Sequence, residues 1–203
     1  MSEENTATQT LEILKQHKER PVDGIVFKNL THAGLLWLRT NQQIVNALNV
    51  FPVPDGDTGT NMVLTMQAAF DEINHSPDRN LGKITQDLAQ GALMGARGNS
   101  GVILSQLWRG FAKAVGDKEI LDGPTFAKAL AEARDVAYKG VVRPVEGTIL
   151  TVAKDIAAAA KEALNHTKDP YEILERVVLE AEASVERTPD LLDVLRDAGV
   201  VDS

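Results

Sequence analysis

Apolar residues recur at three- and four-residue steps along nearly the whole chain, and this period limits the possible folds more than any other feature. Tyr171, Leu174, Val177, Val178, Ala181 and Val185 follow that spacing and make one face of a helix. Asp169 as N-cap and Pro170 at the first helical position mark its start. Thr188-Pro189 repeats the signal and predicts a short last helix ending at Gly199. Gly123-Pro124 opens another helix, carrying Phe126, Leu130, Ala133 and Ala137. The same period predicts helices over roughly 24–48, 60–75, 80–94, 99–115 and 147–165. No alternating or β-branched run calls for a strand. The expected fold class is therefore all-α, a bundle of about eight antiparallel amphipathic helices with short connections. Residues 1–20 are polar and weakly patterned; they read as a loose arm or an extra surface helix ahead of a domain over 21–203. The alanines of Ala157–Ala160 point to close helix packing.

Composition removes several classes of function. The chain has no cysteine, so a disulfide framework, a thiolate metal site and a thiolate nucleophile are all excluded. No apolar run approaches the ~20 residues needed to cross a bilayer, and the polar N-terminus has no signal-peptide core. A cytoplasmic protein without a transmembrane segment is expected. The net charge of −8 argues against nucleic acid as a partner, because a phosphate backbone calls for a basic face. It does not argue against ATP, whose charge can be met locally by a metal and backbone N–H groups.

Three loops interrupt the helical pattern. The first is Asp55-Gly56-Asp57-Thr58-Gly59-Thr60-Asn61-Met62. It sets two carboxylates two residues apart on a glycine-hinged turn that opens into a helix. Mg²⁺ takes hard oxygen ligands, usually one or two carboxylates, with water and substrate phosphate oxygens completing its octahedron. A helix N-terminus offers unpaired N–H groups and the positive end of the helix dipole to an anion. Gly56 and Gly59 let the backbone approach phosphates, and Pro52 and Pro54 hold the preceding segment extended. The bland alternative is an acidic turn whose Asp and Thr residues cap the helix. The second loop, Gly95-Ala96-Arg97-Gly98-Asn99-Ser100-Gly101, is another glycine-rich helix N-terminus suited to phosphate oxygens, or else a flexible helix–helix turn. The third, Arg143-Pro144-Val145-Glu146-Gly147-Thr148, precedes a helix in the same manner and taken singly is an ordinary capped turn. In an antiparallel bundle every second loop lies at one end, so all three can converge.

Standard signatures are missing. There is no Walker-type phosphate loop, no G-x-G-x-x-G after a strand and no H-E-x-x-H. The EF-hand pattern fails after Asp57, where Gly59 takes the third ligand position. Asp55-Gly56-Asp57-Thr58 also looks like the start of haloacid-dehalogenase-type phosphotransferases, whose first Asp is a nucleophile. That motif follows a buried parallel strand, and Pro52 with Pro54 cannot sit in one.

Asn49 through Met62, Leu93 through Phe111, Arg143 through Asp155 and Gly199 through Ser203 together resemble the ATP-binding domain of bacterial fatty acid kinase. That domain is of the dihydroxyacetone kinase L-subunit family. The resemblance runs from about residue 24 to the last residue, with the four blocks in order and at compatible spacing. It implies a closed barrel of eight antiparallel helices holding Mg-ATP in the loops at one end. It implies that Asp55 and Asp57 bind one or two Mg²⁺ ions, with Asn49 one residue out of register from a third, upstream aspartate of dihydroxyacetone kinase subunits. Thr58, Gly59, Thr60 and Asn61 are then expected along the phosphates, with Gly98, Asn99, Ser100 and Gly101 opposite them. Arg143, Gly147 and Thr148 of the third loop, with Asp202 in the C-terminal block, are expected to help enclose the nucleotide. Thr58 stands where dihydroxyacetone kinase subunits carry His, a departure that favours the fatty acid kinase branch.

The activity implied is transfer of the γ-phosphoryl group to a fatty acid presented by a separate binding protein, giving an acyl phosphate. Catalysis is then mostly positioning and electrostatic stabilisation by metal and phosphate ligands. No residue reads as an acceptor base: His17, His32, His75 and His166 are scattered in polar contexts outside the loops. Fatty acid kinases continue past this domain, so the chain is expected to be an excised N-terminal domain that acts with downstream domains. Two other functions stay open at this level: a dihydroxyacetone-kinase-type subunit acting on a small sugar held by a partner, and a non-enzymatic helical adaptor whose glycine loops are only turns.

Overall fold

The computed structural model describes residues 20–198. Eight helices run through them in chain order: α1 (Gly24–Ala47), α2 (Thr58–Asn74), α3 (Leu81–Gly95), α4 (Gly98–Val115), α5 (Gly123–Gly140), α6 (Ile149–Ala163), α7 (Pro170–Leu191) and the short α8 (Asp193–Asp197). Each helix packs chiefly on its neighbours in sequence, and the short connections make those neighbours antiparallel. The fold is all-α, a helical bundle, as the period of the apolar residues requires. None of the described helices is long and apolar enough to cross a membrane.

Side-chain caps fix most helix starts. Asp23 accepts from the N–H groups of Ile25 and Val26, Asn80 from Lys83, Asp122 from Thr125, Thr148 from Leu150 and Asp169 from Tyr171. Each such cap satisfies an amide that the helix itself cannot. Inside the bundle, an aromatic cluster ties α1 to α4 and α5. Phe27 stacks on Phe111 at 5.6 Å between ring centroids, with Trp108 and Phe126 edge-on to Phe111 at 5.8 and 6.3 Å. Fully buried Ile73, Ile84, Leu88 and Ile173 extend this core through α2, α3 and α7. Ala153, Ala157, Ala160 and Ala163 form the buried stripe of α6, which is the close packing expected of that alanine run.

Two local expectations are corrected. Thr188-Pro189 does not start a new helix; α7 continues through Pro189 to Leu191. Proline lacks the N–H that would bond the carbonyl four residues back. Here the Thr188 hydroxyl donates to that carbonyl, Val185 O, at 2.7 Å. The break falls instead at Leu192, which is extended (φ −132°, ψ 99°), and α8 follows it. The expected end at Gly199 lies outside the described residues. Secondly, a small antiparallel strand pair is present, β1 (Val22–Asp23) with β2 (Ile120–Leu121). Strands of two residues are too short to show alternation.

Candidate functional site

The connection from α1 to α2 carries the two aspartates of the first loop. It is held by Asn49, whose side chain spans it from within. Asn49 Nδ2 donates to the carbonyls of Val53 (3.1 Å) and Phe51 (3.4 Å), and its Oδ1 accepts from the N–H groups of Asp57 (3.2 Å) and Thr58 (3.4 Å). Gly56 makes the bend with φ +67°, in the left-handed region. Asp55 and Asp57 both face solvent. Asp57 stands at the N-cap of α2 and makes no side-chain cap. Neither carboxylate has a hydrogen-bond or ion-pair partner among the described residues, whereas Asp23, Asp122 and Asp169 are spent on capping.

The first turn of α2 is satisfied from α1. Asn46 Oδ1 accepts from Thr60 N at 3.0 Å, and Asn46 Nδ2 and Gln42 Nε2 each donate to Thr60 Oγ1 at 3.0 Å. With Asp57 N and Thr58 N bound to Asn49, little of this helix end is open to a ligand. The α4 N-terminus differs. Arg97 at its N-cap makes no side-chain cap, and the first bond of this end is Gly101 N to Arg97 O at 2.9 Å. The amides of Gly98, Asn99 and Ser100 therefore meet no acceptor among the described residues.

The first and second loops are stitched together. Thr65, fully buried on α2, donates to Asn61 O at 2.7 Å and accepts from Arg97 N at 3.2 Å. A Cβ at Gly98 would collide with the Asn61 amide, and one at Gly101 with the Thr65 hydroxyl. These two glycines thus bring the backbone of α4 close against α2. The space their missing side chains leave is filled by α2. Asn61 shares this junction with the open amides, while Thr60 is held on the α1 side of α2.

The third loop lies at the same end by topology, since it too precedes an even-numbered helix. Glu146 organises it. Its carboxylate accepts from Tyr138 (3.0 Å), Thr151 (2.7 Å) and Lys154 (2.6 Å), and Thr151 Oγ1 in turn accepts from Gly147 N at 2.8 Å. The Lys154 and Thr151 bonds hold the Glu146 carboxyl below its ordinary range. Burial and the bond to Glu146 push the Tyr138 phenol up to about 12. Gly147 is buried, and a Cβ there would collide with Leu192 and Thr188 O. Thr148 caps α6, and Arg143 is exposed. This loop packs on the α7–α8 junction, and no hydrogen bond joins it to the other two loops among the described residues. Asp202 lies outside the described residues, as does His17. His75 follows the far end of α2 and His166 the far end of α6, while His32 stacks on Phe70 at 4.5 Å.

Sequence reasoning missed Gln42, Asn46 and Thr65. A signal for the first two existed: Gln42, Asn46 and Asn49 are amides at four- and three-residue steps, one polar stripe leading into the loop. No group of three or more His, Cys, Asp or Glu residues able to hold a metal is present among the described residues. Asp55 and Asp57 form a pair, which is the carboxylate number Mg²⁺ takes when substrate phosphates supply further ligands.

A family model, the DAK2 domain, matches residues 52–203. Curated relatives include uncharacterized proteins of Staphylococcus aureus strains bovine RF122 / ET3-1 and USA300. Each is 47% identical over 182 residues, covering 90% of this chain and 33% of the relative. The chain thus spans about a third of the length of the curated relatives it matches.

Proposed function

This chain belongs to the DAK2 domain family, and from that premise we propose that it is the Mg-ATP-binding domain of a fatty acid kinase. As a DAK2 domain it is a DhaL-like nucleotide-binding domain of a kinase-related family. The observation that carries the finer reading is the junction of α2 with α4. There, two solvent-facing carboxylates without partners among the described residues stand in the loop before α2, and α2 is bonded to the loop ahead of three amides that meet no acceptor among those residues.

The chemistry of this donor set suits a magnesium triphosphate. Asp55 and Asp57 are the residues that would hold Mg²⁺, and the bound ion would neutralise charge on the phosphate oxygens. Asn49 is left out of the metal set, because its Oδ1 already accepts two N–H groups and serves to shape the loop. The Gly98, Asn99 and Ser100 amides, at the positive end of the α4 dipole, bind and orient phosphate oxygens. Thr58, Gly59, Thr60 and Asn61, in the first turn of α2, are assigned to the phosphates. Arg143, Gly147 and Thr148, in the third loop at the same end of the bundle, are assigned to the wall of the nucleotide site. Orientation and electrostatic stabilisation account for phosphoryl transfer here without a protein nucleophile. The acceptor is a fatty acid carried by a separate binding protein, and the product is an acyl phosphate. Thr58 in place of the histidine of dihydroxyacetone kinase subunits supports this branch over sugar phosphorylation. Residues 21–203 are taken as the domain, acting with downstream parts of a longer chain.

Thermal denaturation with ATP and Mg²⁺, together and singly, tests the nucleotide half. Stabilisation is expected only with both. Asp55→Ala and Asp57→Ala should each weaken Mg-ATP binding by about 100-fold or more, while the ligand-free melting temperature moves by less than about 2 °C. Wild-type affinity in either variant, measured by calorimetry, would sink the metal assignment. For the acceptor half, the chain with Mg-ATP and free fatty acid alone should form no acyl phosphate, and addition of a fatty-acid-loaded partner should produce it. Phosphorylation of a partner-held sugar in its place would move the protein to the dihydroxyacetone kinase branch.

A further inference from the structure

Thr60 is bonded unlike Thr31, Thr40 and Thr65. Thr31, Thr40 and Thr65 each donate their hydroxyl proton to the carbonyl four residues back, Phe27 O, Leu36 O and Asn61 O. Thr60 makes no such bond. Its hydroxyl oxygen instead receives two N–H groups, from Gln42 Nε2 and Asn46 Nδ2, both at 3.0 Å. A hydroxyl has two acceptor lone pairs and one proton, so both lone pairs are filled and only the proton is left to give. That proton has no acceptor among the described residues.

The arrangement is held from several sides. Asn46 Oδ1 takes the backbone N–H of Thr60 at 3.0 Å, which fixes the orientation of its amide and places Nδ2 on the hydroxyl. Gln42 and Asn46 sit one turn apart near the end of α1, so a single helix face delivers both donors. The neighbouring Gly59 is buried against this face, and a Cβ there would collide with Gln42 O and Asn46 Oδ1. Any larger residue at 59 would push α1 and its two amides away from Thr60.

We propose that Asn46, assisted by Gln42, is a positioning residue that makes the Thr60 hydroxyl an obligate hydrogen-bond donor to a phosphate oxygen of the bound nucleotide. The inference rests on the reading of this junction as a Mg-ATP site. Phosphate oxygens accept and cannot donate, so a threonine free to accept from solvent or to bond its own helix would serve them poorly. Two amides that occupy every lone pair remove both alternatives. The Asn46 and Gln42 side chains both touch Thr60, and Gln42 does so through the hydroxyl alone.

A double-mutant cycle on the full chain tests this, with Mg-ATP affinity read by calorimetry. Asn46→Ala and Thr60→Val should each weaken binding about tenfold, the scale of one hydrogen bond to a charged group. Combined, they should still lose about tenfold, because the second change removes an interaction already gone. Thr60→Ser, which keeps the hydroxyl, should bind within about threefold of the original chain. Gln42→Ala leaves the Thr60 backbone bond intact; it should cost about threefold, and nothing further in the Thr60→Val background. This milder variant keeps the test open should Asn46→Ala lower the melting temperature. Multiplicative losses near 100-fold for Asn46→Ala with Thr60→Val, or equal losses for Gln42→Ala in both backgrounds, would overturn the inference while leaving the nucleotide site standing. An unaltered chain that fails to bind Mg-ATP overturns the function reading itself, and that result is visible before any variant is made.

Discussion

Glu146 is the residue on which the third loop depends, because three side chains and, through Thr151, one backbone amide converge on its carboxylate. The pH dependence follows from the signs of the two shifts. Glu146 is held below its ordinary value by Lys154 first and Thr151 second, so its contribution is complete above the ordinary glutamate range and is lost as acid carries the pH down through the lowered value. Tyr138 is raised from 10.0 to about 12, so its contribution is complete below pH 10 and is lost as the pH rises from there to about 12. Glu146→Gln should flatten both limbs of a melting-temperature profile. Glu146 and Lys154 are half-exposed, so the loss at neutral pH should be no more than about 2–4 °C. An unchanged acid limb in that variant would show that the network does not hold the loop. Some residues of the site were legible in the sequence and some were not, for a physical reason. Asp55 and Asp57 stand out as a candidate pair by type and spacing alone, and the structure leaves both exposed. Asn46 and Gln42 take their meaning from Thr60, 14 and 18 positions away, and an amide has no fixed role until its partner is known. The glycines of the second loop were recognised as important, but what fills the space beside them, Asn61 and Thr65, belongs to another helix.

Helix boundaries were legible wherever a side chain closed the first turn. Asp169 and Pro170 mark the start of α7, as read from the sequence, and Gly123-Pro124 opens α5 behind Asp122. The failure at Thr188-Pro189 came from treating the pair as a cap and proline, when the threonine hydroxyl repairs the carbonyl that the proline orphans. Thr188→Val tests this repair with almost no change of shape. Thr188 is buried, so losing the hydroxyl leaves Val185 O unsatisfied at a cost of about 1–3 kcal/mol, which is a fall of roughly 3–10 °C for a chain of this size. Thr188→Ser should recover most of it. A melting temperature for Thr188→Val equal to that of the unaltered chain would mean that the helix bears the proline by some other means. The strand pair of Val22–Asp23 with Ile120–Leu121 could not be foreseen, because its cause is the meeting of two chain segments and not a local pattern.

At the scale of the molecule, antiparallel succession places the loops before α2, α4 and α6 at one end of the bundle, and this much followed from counting helices. Their joining did not. Thr65 couples the first two loops directly, while the third is seated against Leu192 and Thr188 at the end of α7. The contrast between the two stitched helix ends has a further consequence, for the timing of proton exchange with solvent. Amides of Asp57, Thr58 and Thr60 are occupied by asparagine oxygens in the free chain. Those of Gly98, Asn99 and Ser100 meet no acceptor among the described residues. In deuterated water the α4 triad should exchange fast in the free chain and slow sharply when Mg-ATP binds, while the α2 set changes little. Two helix ends in contact, one silent and one responsive, would let the same molecule carry its own internal reference for occupancy.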